Sequence, residues 1–227
     1  MIKKFAVSIV FVFVAGLGFS QTNFENMPKH TITVDLGPTI IGALYGALLN
    51  DISAVDGSFG FGIGVQYEHQ IHPQISAAVR FAYLGIRTDF DISNDEIISP
   101  KMSSFSIETH GRFFPFARAF FVSGMLGYGN FTLSGLAGDN VNTDRAWMNY
   151  LKMGARAGWR INFGENGGLT FEPSLGYFWA FEYSGTLGRI LSNSPEDAAL
   201  FDMGAKEAAE NFFIGGPRVT LALGWRF

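Results

Sequence analysis

The run "YLKMGARAGWRINF", Tyr150 to Phe163, decides how this chain is read. Every second residue is apolar: Leu151, Met153, Ala155, Ala157, Trp159, Ile161 and Phe163. Between them stand Lys152, Gly154, Arg156, Gly158 and Arg160. A period of two means a β-strand with unlike faces. On a helix the same residues would scatter round the whole circumference.

The pattern repeats on both sides of this run. Downstream, "LTFEPSLGYFWAF" sets Leu169, Phe171, Leu175, Tyr177, Trp179 and Phe181 against Thr170, Glu172, Ser174 and Gly176. The last run, "VTLALGWRF", sets Val219, Leu221, Leu223, Trp225 and Phe227 against Thr220, Ala222, Gly224 and Arg226. Upstream, "HTITVDLG" opposes Ile32, Val34 and Leu36 to Thr31, Thr33 and Asp35, and "SFGFGIGVQYEHQI" opposes Phe59, Phe61, Ile63, Val65 and Tyr67 to Gly60, Gly62, Gly64, Gln66 and Glu68. "ISAAVRFAY" carries Arg80 on its polar face, and "SFSIETHGRF" carries Ser106, Glu108, His110 and Arg112. "FFVSGMLGYGN" is less regular; Phe120, Val122, Leu126 and Tyr128 are assigned to its apolar face.

These make eight strands, each expected to run for about the 9 to 11 residues of a tilted membrane strand. Their links alternate in length. The second, fourth and sixth are tight (His72 to Gln74, Pro115 to Arg118, Gly164 to Gly168), whereas the others are long and polar or Gly-rich: about Gly46 to Gly57, Arg87 to Lys101, Ser134 to Arg145 and Ser184 to Phe212. All long loops therefore leave at one end. This predicts an all-β fold, an eight-stranded antiparallel up-and-down transmembrane β-barrel. In the last loop Ser194 is a candidate N-cap, followed by Pro195, Glu196 and Asp197. That start signal predicts a short extracellular helix, either capping the mouth or folded on itself.

The N-terminal "MIKKFAVSIVFVFVAGLGFSQ" has basic Lys3 and Lys4, an apolar stretch and then small residues, the layout of a cleavable secretory signal over residues 1–20. Residues 21–227 then form a single barrel domain. The absence of cysteine excludes a thiol nucleophile, a disulfide framework and a lipid-modified cysteine. A net charge of −4 offers no footprint for nucleic acid. Charged residues are only 16% of the chain while 24 Phe and 28 Gly are present, so a medium other than water is expected against the Phe side chains.

Alternation alone does not say which face is outside, and a secreted lipocalin-like barrel has the same period. Such a barrel would need a second face rich in Lys, Glu and Asp. Here that face is mostly Gly, Ala, Ser and Thr with a few charges of both signs, which suits the cramped interior of a small closed barrel. Aromatic residues fall at both strand ends: Tyr67, Phe113, Phe163, Trp225 and Phe227 at the tight-turn end, and Phe59, Tyr83, Phe105, Tyr128, Tyr150 and Tyr183 at the other. They read as two interfacial girdles.

With this architecture and the terminal "LALGWRF", the chain resembles the small eight-stranded outer-membrane proteins, the group of OmpX, OmpW and the OmpA membrane domain. The resemblance implies residence in the bacterial outer membrane, contact with its lipid, a monomeric state, and recognition of Leu221, Leu223, Trp225 and Phe227 by the barrel assembly machinery. It implies no cofactor and names no partner for the loops. Two functions stay open: a non-enzymatic structural or surface-interaction role, and a narrow OmpW-like channel for small or apolar solutes, for which the lumen glycines Gly60, Gly62, Gly64, Gly154 and Gly158 would leave room.

Ser106, Glu108 and His110 share a face, but neighbours on it are about 7 Å apart, so a hydrolytic triad is not expected. "GFGIG" precedes no helix and is not a phosphate loop. The four histidines have no metal-ligand spacing. The candidate site is instead a polar network in the barrel interior. If Phe163 and Leu169 pair across "GENGG", Arg160 lies opposite Glu172, with Arg156 in reach of the same carboxylate. Glu68, Arg80, Glu108 and Arg112 extend this mixed-charge set.

Overall fold

The computed structural model describes residues 28–38, 55–92, 96–98, 101–116, 119–134, 145–164, 167–185 and 216–227. The strands are β1 (His30–Asp35), β2 (Val55–His72), β3 (Ile75–Ile92), β4 (Glu96–Ile98), β5 (Lys101–Phe116), β6 (Phe120–Ser134), β7 (Arg145–Trp159), β8 (Ile161–Asn162), β9 (Gly168–Gly185) and β10 (Gly216–Arg226). All pairings are antiparallel, in the order β10-β1-β2-β3-β5-β6-β7-β9, and β9 pairs again with β10. The sheet thus closes on itself as a barrel of eight staves. β8 continues the β7 stave beyond Arg160, whose N–H donates to the Ala119 carbonyl in the neighbouring turn. β4 is an extra strand on β3.

Side-chain direction follows the alternation strand by strand. On β6, the least regular run, Leu126 is 63% exposed and its neighbour Met125 only 5%, which settles that stave's inner and outer faces. The two ends of the chain close the ring. Thr31 faces Arg226 and Ile32 faces Trp225, and the His30 and Phe227 main chains exchange two hydrogen bonds of 3.0 Å. In the turn before β9, Gly167 and Gly168 have φ of 121° and 113°, a conformation side chains disfavour, which accounts for the paired glycines there.

Three expectations change. Several strands are longer than a membrane requires: β2, β3 and β9 have 18 residues each, about 60 Å of chain. The extra length lies at the long-loop end, and part of the segment expected as a loop between Arg87 and Lys101 is strand, because β3 runs on to Ile92 and pairs with β4. On that side β1 stops at Asp35, and Pro38 stands close to the inward-facing Gly62, so the chain turns into the barrel there. Tyr150 does not belong to the outer girdle; it is 2% exposed and points into the barrel. The expected helix after Ser194, the signal sequence and the Tyr183 side chain lie outside the described residues.

Candidate functional site

The lumen of an eight-stranded barrel is just wide enough to be filled by side chains, and here charged ones fill much of it. Nearest the tight turns, Glu68 from β2, Arg112 from β5, Arg160 from the β7–β8 junction and Glu172 from β9 form a ring of alternating charge. Arg160 Nε donates to Glu172 Oε1 at 2.5 Å and its Nη2 to Glu68 Oε2 at 2.7 Å. Arg112 Nη1 donates to the same Glu68 oxygen at 2.6 Å and to Glu172 Oε2 at 2.9 Å. Four staves are thereby tied across the barrel axis. All four side chains are buried, so each charge depends on the others for the stabilisation that water would otherwise supply.

A second group sits on Glu108. Arg80 is its direct cross-strand neighbour and donates to Oε2 at 2.7 Å, while Lys152 reaches Oε1 at 2.7 Å. Arg80 also contacts Asp35 Oδ2 at 2.5 Å. Gln66 links the two groups: its Oε1 accepts from Arg112 Nη2 and from Arg156 Nη2, each at 3.0 Å. Arg156 therefore hydrogen-bonds to Gln66, not to the Glu172 carboxylate expected for it. The reason is register: Arg156 lies opposite Gly176, higher on β9 than Glu172.

Glu108 also accepts from Ser106 Oγ at 3.2 Å and contacts His110 Nε2 at 3.3 Å. The 7 Å spacing along a strand is bridged because a glutamate between two neighbours can reach both. The hydroxyl and imidazole are thus each engaged by the carboxylate between them, with no serine–histidine contact of the kind a nucleophile requires.

Aromatic side chains bound the charged layers. Phe114 and Phe121 are fully buried, and Arg160 lies over the first ring at 4.9 Å and Arg112 over the second at 4.7 Å. Phe178 lies under Lys152 at 4.7 Å. Towards the long-loop end, Phe131, Met148, Tyr150 and Ala180 form an apolar cluster, with Tyr150 and Ser104 hydroxyls 2.9 Å apart.

Gly62, Gly64 and Gly154 face occupied space. A Cβ on Gly154 would lie 2.4 Å from Phe178 Cδ1, on Gly64 2.9 Å from Arg80 Nη2, and on Gly62 2.6 Å from Pro38 Cβ. Each is small because a large neighbour occupies the space in front of it. Asp35, Gln66, Lys152, Phe114, Phe121 and Phe178 join the site beyond the residues that the sequence pattern points to. Their inward direction follows from parity, since Phe114 is two residues past Arg112 and Phe178 two past Gly176. At the outer surface Leu223, Trp225 and Phe227 are exposed and Leu221 is half-buried. His30, His69, Tyr67 and Phe227 cluster at the tight-turn end; the His30 ring centroid is 4.9 Å from that of His69 and 5.7 Å from that of Phe227. No group of three or more potential metal ligands occurs among the described residues.

No family model matches the chain, and no curated protein does. Among solved structures it is similar to the Yersinia pestis outer membrane protein Ail in a phospholipid bilayer nanodisc, with 14% identity and a TM-score of 0.42 over 88% of this chain and 99% of that one. The N-terminal β-barrel domain of Pseudomonas aeruginosa OprF has 11% identity and a TM-score of 0.37, over 88% and 98%. The β domain of the Bordetella autotransporter BrkA has 12% identity and a TM-score of 0.33, over 75% and 73%.

Proposed function

We propose that this protein is an integral outer-membrane β-barrel with a closed lumen and a non-enzymatic structural or surface-interaction role carried by its long loops. The observation behind this reading is the inversion of its faces. Ile63, Phe81, Leu126, Met153, Trp179 and Leu223 point outward and are exposed, while Glu68, Arg80, Glu108, Lys152 and Arg160 are buried inside. Such a surface is unfavourable in water and stable against lipid.

Exposed aromatics at both ends, Tyr67, Phe113 and Trp225 at one and Phe59, Tyr83 and Phe105 at the other, suit the two membrane–water boundaries. On this reading residues 1–20 direct export, the terminal strand is presented to the assembly machinery, and the mature chain is a monomer in outer-membrane lipid. The engagement of Ser106 and His110 by Glu108 supports a non-enzymatic role.

The large groups in front of the lumen glycines, together with the crossing ion pairs, favour a closed barrel over a narrow channel. Recording from refolded protein in planar bilayers tests this. The expected result is little or no steady conductance from the unmutated chain; stable, reproducible channels would establish the transport reading instead. Fractionation tests the location: the protein should sediment with the outer membrane and run as a heat-modifiable band. Recovery from the soluble periplasm would end the membrane reading.

A further inference from the structure

The two charged layers differ in balance. In the ring nearest the tight turns, Glu68 and Glu172 match Arg112 and Arg160. In the layer above, Asp35 and Glu108 face Arg80, Lys152, Arg156 and Arg218 among the described residues. Arg80 is paired with both acids and Lys152 with Glu108. Arg156 has no carboxylate within ion-pair range among the described residues, and its one hydrogen bond goes to the neutral Gln66 oxygen that Arg112 also uses. Two guanidinium groups thus converge on one uncharged atom inside the barrel. Like charges at this separation repel strongly where water does not screen them.

Arg156 and Arg80 are 7% and 6% exposed, and the Nε of each makes no hydrogen bond to the described residues. Both line a cavity of about 10 Å³, together with Arg218, Asp35, Glu108 and His110. That volume admits a single particle of about water size. A water molecule would satisfy an N–H group but leave the charge uncompensated. Asp35 and Glu108 turn their carboxylates to Arg80 and Lys152, which offsets their repulsion of an incoming anion. His110 is engaged by Glu108 through Nε2, so that nitrogen is not turned to an anion.

We propose that this cavity binds one small monovalent anion of the halide class, with chloride as the physiological occupant, held chiefly by Arg156 and secondarily by Arg80. The ion would supply the negative charge that Arg156 lacks among the described residues.

The test uses the refolded full chain in detergent micelles, with the thermal midpoint read from the heat-modifiable band in chloride and in gluconate at equal ionic strength. Gluconate is too large for the cavity and controls for general screening. Chloride is expected to raise the midpoint by about 3 °C or more, and Arg156→Gln is expected to remove the difference. Equal midpoints for the unmutated chain in both salts would overturn the proposal, as would an Arg156→Gln protein that keeps the full chloride shift. Should that variant not fold, long-wavelength anomalous diffraction from crystals of the unmutated protein grown in chloride decides. A peak in the cavity beside Arg156 supports the site, and its absence refutes it.

Discussion

Arg160 and Glu172 stand directly across the hairpin that joins the sixth and seventh staves, and Arg160 Nε donates to Glu172 Oε1 at 2.5 Å. The register on either side holds them there: Gly158 faces Ser174 and Ile161 faces Phe171. Arg112 uses the other oxygen of Glu172, so removal of this carboxylate leaves two buried guanidinium groups sharing Glu68 as their one carboxylate among the described residues. Glu172→Ala is expected to destabilise the refolded barrel by about 3 to 5 kcal/mol. A double-mutant cycle with Arg160→Ala in urea should give a coupling of about 1 kcal/mol or more. Zero coupling would mean that the two groups are solvated independently.

Ala155 and Gly124 face one another on the outer surface, where a Cβ on Gly124 would meet no atom within 4 Å. Ala155→Arg puts a charge towards the hydrocarbon and is expected to cost about 2 to 4 kcal/mol in lipid vesicles. Gly124→Ala should stay within about 0.5 kcal/mol of the unmutated protein. If the arginine were tolerated and the alanine were not, the two faces would have been assigned the wrong way round.

Gly154, one residue from Ala155, responds to the packing of the lumen. A methyl group there would press on Phe178 Cδ1 at 2.4 Å and on the Tyr177 carbonyl at 2.6 Å. A rotamer change relieves only the first of these contacts. Gly154→Ala should therefore cost about 1 to 3 kcal/mol, visible as a lower urea midpoint, while Gly124→Ala leaves the midpoint in place.

Tyr150 separates hydrogen bonding from packing in the apolar cluster. Tyr150→Phe removes the contact with Ser104 and should cost about 0.5 to 1.5 kcal/mol. Tyr150→Ala also empties the space against Phe131 and Met148 and should cost about 3 to 5 kcal/mol. Equal losses in denaturant titrations would assign the whole effect to the hydroxyl.

Phe227 tests closure against recognition. Its main chain pairs with His30 whatever the side chain, so Phe227→Ala should refold in vitro with a midpoint near that of the unmutated protein. In cells the same variant is expected to assemble to a lower level, and deletion of the residue, which also removes the His30 pairing, to a lower level still. Normal surface levels for Phe227→Ala would count against recognition of the aromatic side chain.

Parity along the chain sorted the residues into two faces, because a strand sends successive side chains to opposite sides whatever it pairs with, and the small, sparsely charged composition of one face marked it as the interior. The alternating link lengths likewise determined eight staves with long connections at one end. Even Arg160 opposite Glu172 was legible, since a tight turn dictates the register of the hairpin it joins. Contacts between distant staves were not. Arg112 with Glu68, Lys152 with Glu108, and Arg156 with Gln66 instead of Glu172 depend on the height each residue reaches once the ring closes, which no local pattern encodes. The lumen glycines show the same limit: as a sequence they suggest open space, but folding brings Phe178, Arg80 and Pro38 in front of them. Composition counts the small residues, and only the closed barrel determines which large side chains fill the volume they leave.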